Sequence, residues 1–128
     1  PTFDSHKAFA QAGGYDGLKR FYQQRSQQYG GDASVPERVV RRMAFSFMNN
    51  EPQAAIQLFA QNAKRHPESP GALFGLGRGY ENNNESEQAL VAYEGALALA
   101  KQQNASSVSF LARQVTRYKK VIADEANH

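Results

Sequence analysis

Apolar residues recur along this chain at the three-to-four-residue spacing of helices, and short polar or glycine-rich breaks interrupt them. The breaks fall at Gly13-Gly14, Gly30-Gly31, Asn49-Asn50, Pro67 to Gly71, Asn82 to Asn84 and Gln102 to Asn104. Between them Ala, Leu, Gln, Glu, Lys and Arg dominate, the residues that lose least on entering a helix. Val39-Val40 comes nearest to a strand signal, but it lies inside an Arg-rich helical pattern. The pattern predicts an all-α chain of seven helices. They run over about Ser5 to Ala12, Asp16 to Tyr29, Pro36 to Met48, Pro52 to Arg65, Pro70 to Glu81, Glu85 to Lys101 and Ser106 to Asp124. Ser5 is the expected N-cap of the first. Leu18, Phe21, Tyr22, Arg25 and Tyr29 mark one side of the second; Phe110, Leu111, Val115, Tyr118 and Ile122 form an apolar stripe on the seventh.

The pattern also repeats. Ala55 and Ala89 lie 34 residues apart, as do Ile56 and Leu90, and Phe59 and Tyr93. One helix pair reads Leu73-x-x-Leu76-Gly77-x-x-Tyr80 and then Ala89-x-x-x-Tyr93-x-x-Ala96. This resembles the tetratricopeptide repeat, a helix-turn-helix unit of that period, with Lys101 in place of the closing Pro. A looser unit precedes it: Val40-x-x-Met43-Ala44-x-x-Phe47, then Ala55-x-x-x-Phe59 and Pro67, with one residue fewer between the helices. Small residues (Ala44, Gly77, Ala55, Ala89) let paired helices approach, and large ones (Phe47, Tyr80, Phe59, Tyr93) fill the space between them. The resemblance implies an α-α superhelix within one domain. It has an N-terminal helical pair over 1–34, two repeats over about 36–69 and 70–103, and a C-terminal capping helix over 105–128. Such units bury their apolar faces only by stacking.

A longer string carries a second resemblance. Tyr15-Asp-Gly-Leu-Lys-Arg-Phe-Tyr, Gln28-Tyr29-Gly30, Val35-Pro36-Glu37, Ala55-Ile56, Phe59, Asn62, His66-Pro67-x-Ser69 and Gly75-Leu76-Gly77 are similar to the C-terminal tail of some bacterial esterases of the α/β-hydrolase class. Some β-lactamase-like serine hydrolases carry a similar tail. In that family a helix pair and two tetratricopeptide-like units follow the catalytic domain, and the tail carries no catalytic residue. The resemblance implies an accessory C-terminal module of a larger hydrolase, docking on its own catalytic domain or covering its substrate entrance. A free-standing adaptor for an acidic peptide is the other reading.

Composition bounds the chemistry. At 128 residues the chain suffices for one core, and it has no Cys, which removes disulfides, zinc-thiolate sites and Cys nucleophiles. No Gly-x-Ser-x-Gly elbow is present, so no catalytic activity is expected of this chain. Gly75-Leu76-Gly77-Arg78-Gly79 fails as a dinucleotide loop because position 80 is Tyr and no strand precedes it. Gly75 and Gly79 then call for a close neighbour, since each costs about 1 kcal/mol against Ala in a helix. His6, His66 and His128 lie far apart, without ligand spacing; neither a metal nor a cofactor is expected. Asn84-Glu85-Ser86 and Asn104-Ala105-Ser106 match the glycosylation sequon, but turn residues explain them. The chain opens on Pro1 rather than Met, which fits a processed or excised piece, so the missing leader leaves the compartment open.

The net charge is +3, too small to argue for nucleic acid. Arg113, Arg117, Lys119 and Lys120 on the last helix are expected to face water and complement the helix dipole. No apolar run approaches the ~20 residues of a membrane span. By the tetratricopeptide resemblance, the concave face takes Arg38, Arg41, Phe45 and Met48 from the first unit, and Gly71, Phe74, Arg78 and Glu81 from the second. Arg beside Phe and Met suits a protein segment or acidic peptide with apolar anchors. The competing reading packs Phe45, Met48 and Phe74 on the N-terminal helices and leaves Arg38 and Arg41 solvated. The carboxylate-clamp pattern of that family lacks its Asn here, so chaperone tails are not expected. An empty face could also pair two copies weakly.

Overall fold

The computed structural model describes residues 6–11 and 13–127. Within them the chain is all-α, with seven helices and no strand: α1 (His6–Gln11), α2 (Gly14–Tyr29), α3 (Glu37–Phe47), α4 (Pro52–Arg65), α5 (Pro70–Asn82), α6 (Ser86–Gln102) and α7 (Val108–Ala126). The expected cap at Ser5 and the terminal His128 lie outside the described residues. Helix limits fall within two residues of the sequence pattern, and α4 matches it at both ends.

Local chemistry sets these limits. Pro opens α4 and α5, where a missing N–H costs nothing. The Ser69 hydroxyl caps α5 by accepting from the Ala72 N–H at 3.1 Å. The helices α5 and α6 end alike. Asn84 (φ 60°) and Asn104 (φ 51°) turn left-handed, a conformation Asn tolerates better than most residues. The next N–H then reaches back five residues, Glu85 to the Tyr80 carbonyl and Ala105 to the Ala100 carbonyl, each at 2.9 Å. This is the Schellman closure, and it accounts for both Asn-x-Ser matches.

From α3 onward each helix packs on its neighbours in chain order. Two side-chain amides tie helix ends across that stack. Asn82 Nδ2 donates to the Met48 carbonyl at 2.7 Å, and Gln103 Nε2 donates to the Glu68 carbonyl. Both ties span close to the period read from the sequence, so the helical repeat is structural as well as compositional. Ala44, Ala55, Ala89, Phe59 and Tyr93 are fully buried and Phe47 and Gly77 are buried, as the small-and-large pattern requires, while Tyr80 is only partly covered.

The three alternate glycines of α5 have a direct explanation. A Cβ at Gly75 would stand 2.8 Å from the Phe59 ring, and one at Gly79 would stand 3.0 Å from its far edge. A Cβ at Gly77 would meet the Tyr93 ring at 2.6 Å. The helix is therefore held between two aromatic rings, Phe59 from α4 and Tyr93 from α6. The close neighbour is side chain rather than backbone.

One stripe departs from expectation. Of the residues marking that side of α2 only Leu18 is buried; Phe21 and Tyr22 are partly covered, Arg25 is exposed and Tyr29 is 75% exposed. Helical spacing continued to Tyr29, but nothing in the stack reaches the last turns of α2 to bury them.

Candidate functional site

The helices α3, α5 and α7 are joined side by side, which gathers the residues read as a concave face. On the α3–α5 side, Ser69 donates to Glu37 Oε1 at 2.7 Å, and Arg41 Nη1 lies 3.5 Å from the same oxygen. The Arg41 guanidinium rests against Gly71, where a Cβ would stand 2.5 Å from it. On the α5–α7 side, Phe74 meets Phe110 edge to face, with ring centres 5.3 Å apart. A notch of about 150 Å³ opens between them, lined by Pro70, Gly71, Phe74, Ser107, Phe110 and Leu111.

The apolar members differ in how far they sink. Phe45 packs edge to face on Phe59 at 4.9 Å and stays 37% exposed. Phe74 lies between Tyr93 and Phe110, away from the N-terminal helices. Met48 packs against the core cluster that holds Phe9, Leu18 and Phe47. Of the three residues in the competing reading, Met48 packs on that cluster, Phe45 touches it through Phe59, and Phe74 packs on Tyr93 and Phe110 instead.

The charged members divide in two. Glu81 is engaged: the Tyr93 hydroxyl donates to it at 2.6 Å, and the Arg117 guanidinium spans both oxygens at 2.9 and 3.4 Å. Burial pushes the Glu81 carboxyl up, but the bonds from Arg117 and Tyr93 and the charges of Arg117 and Arg78 outweigh it. The net result holds it below the usual carboxylate range. Burial and the Glu81 acceptor push the Tyr93 phenol well above its ordinary value. Arg117, grouped by sequence with solvated cations, is drawn onto Glu81, Gln114 and the Tyr118 ring. Arg113, Lys119 and Lys120 are exposed.

Arg38 and Arg78 make no ion pair among the described residues. Arg38 is exposed, and Arg78 lies over the Phe74 ring at 5.9 Å. The face therefore offers two cations outside ion-pair distance of any described acid, Arg78 still acting on the Glu81 carboxyl, beside the exposed rings of Phe45 and Phe110. Sequence reasoning passed over Phe110 and Gln114 as members of this face. Phe110 lies 36 residues after its α5 partner Phe74 rather than 34, and Gln114 is held by Arg117 of its own helix, so the repeat period aligns neither; only the apolar stripe of α7 hinted at Phe110.

Among the described residues no group of three His, Asp or Glu could hold a metal. No described helix is long and apolar enough to cross a membrane. No protein-family model matches the chain, and no curated protein sequence does either.

Proposed function

We propose that this chain is a non-catalytic docking module whose α3–α5–α7 face holds an acidic protein segment with an aromatic or aliphatic anchor. The observation that carries the reading is the pair of guanidiniums outside ion-pair distance of any described acid, Arg38 and Arg78, set beside Phe45, Phe110 and the notch at Phe74. Guanidinium forks suit carboxylates, and an exposed apolar patch next to them suits an anchor side chain. The tetratricopeptide resemblance supports it, since units of that type bind along the same face. The similarity to hydrolase tails supports an interdomain version, with this module attached to a larger bacterial esterase and docking on its catalytic domain or across its substrate entrance.

Display of random peptides on phage, selected against the chain, tests the docking reading. Enriched acidic sequences with an aromatic or aliphatic anchor are expected. The Arg38→Glu/Arg78→Glu double variant should lose them while its thermal midpoint holds. Binding that survives the double reversal removes the face from consideration. For the interdomain version, an immunoblot of source-cell extract should show a polypeptide larger than this chain by roughly 200 residues or more.

A further inference from the structure

A separate cleft lies at the other end of the stack, between α2, the loop that follows it and the end of α4. Its volume is about 500 Å³. Tyr15, Lys19 and Gln23 line it from one face of α2, Ser34 from the loop, and Arg65 and His66 from the last turn of α4. The floor is Val35, which is buried. None of the lining residues is a carboxylate.

The chemistry of this donor set is one-sided. Lys19 Nζ, the Arg65 guanidinium, the Gln23 amide and the Tyr15 hydroxyl all offer hydrogens, while the Ser34 hydroxyl is turned onto Asp32. Arg65 is oriented rather than loose, with its guanidinium 4.6 Å from the centre of the Tyr15 ring. Burial raises the Tyr15 phenol further than Arg65 lowers it, so its hydroxyl keeps its proton at neutral pH. Two acids border the cleft, each held by one of its lining residues. Glu68, largely exposed, lies 3.9 Å from His66 Nδ1, and Asp32 accepts from the Ser34 N–H at 2.8 Å. Neither Lys19 nor Arg65 makes an ion pair among the described residues. A cation in the last turn of α4 complements the helix dipole, which accounts for Arg65 carrying charge there. It does not account for Lys19, contributed by another helix, lining the same cleft.

We propose that this cleft is a binding site for a small phosphomonoester. Lys19 and Arg65 balance the two charges of the phosphate, while Gln23 and Tyr15 donate to its oxygens or to hydroxyls on the ester body. The volume leaves room for a compact organic group beyond the phosphate, resting on Val35. This site is independent of the α3–α5–α7 face and stands or falls without it.

The test titrates the full chain with glycerol 2-phosphate, inorganic phosphate and succinate at constant ionic strength, read by calorimetry and amide NMR shifts. Glycerol 2-phosphate should bind saturably and move amides in α2, residues 33–35 and the end of α4. Lys19→Met should weaken it about tenfold or more, the loss expected for one charged hydrogen bond. Arg113→Met, remote from the cleft, should leave it unchanged. Arg65→Lys keeps the charge but loses the guanidinium over the Tyr15 ring, and should weaken binding without unfolding the chain. The proposal is overturned if no saturable binding occurs, if Lys19→Met binds as tightly as the parent, or if the shifts gather on α3, α5 and α7. Succinate binding as tightly as glycerol 2-phosphate would overturn the phosphate assignment.

Discussion

The two ends of the stack are held by different means. In α5–α7 the aromatic core is closed by polar groups that find partners. Tyr93 is fully buried yet donates to Glu81, Arg117 completes that carboxylate, and Ser86 donates to Glu125 at 2.8 Å. The N-terminal side relies on apolar packing of Phe9, Leu18, Val40 and Phe47. Its most deeply buried polar side chain, Asn62, is 1% exposed with neither amide atom bonded among the described residues. The contrast teaches that equal burial is not equal satisfaction: at one end the polar atoms add to the packing, at the other they oppose it.

The strongest way to break the comparison is at the seam. Phe59 belongs to the N-terminal core, yet its ring is seated on Gly75 and Gly79 of α5. Phe59→Ala should lower unfolding free energy by about 3–5 kcal/mol in urea titration, because the glycine bed cannot collapse onto the cavity. Asn62→Leu keeps the branched shape and removes two unsatisfied atoms, and should raise stability by about 1–3 kcal/mol. A loss on that substitution would mean the amide is satisfied after all, and the two ends would no longer differ.

Smaller effects sharpen the C-terminal half. Tyr93→Phe keeps the ring and deletes the hydroxyl bonded to Glu81, for an expected loss of about 1 kcal/mol. Combined with Arg117→Met, the double-mutant cycle should show coupling, since both groups share one carboxylate. The smallest effect is read against pH. The folded-state pKa of Glu81 is lowered from an ordinary value of 4.5, so its contribution is complete above that value. It fades as pH falls through the depressed folded value. Glu81→Gln should flatten this part of the acid limb, measured as thermal midpoint against pH.

Much of this architecture was legible in the sequence, for local reasons. The limits of α4 follow from Pro52 and the polar break after Arg65, and the ends of α5 and α6 follow from Asn84 and Asn104. The 34-residue offset placed Phe59 and Tyr93 as equivalents, and each is seated on glycine. What the sequence withheld is long-range and geometric. Glu81 and Arg117 are 36 residues apart, and no local pattern joins them; read singly, one is a face residue and the other a solvated cation. Asn62 reads as an ordinary polar helix position, because burial is decided by what packs over it. Tyr29 shows the reverse case, an apolar position in register with nothing laid against it.

The glycine pattern of α5 has a consequence for how the molecule comes apart. A segment with Gly at 71, 75, 77 and 79 has little tendency to be helical in isolation, because each glycine favours the disordered chain. Its order is imposed from both sides, by one ring from α4 and one from α6. Loss of either flank withdraws half of that support, so α5 does not survive as a separate cooperative unit. The central helix thereby couples the two ends: unfolding that starts at one is transmitted to the other as a loss of order rather than as a movement.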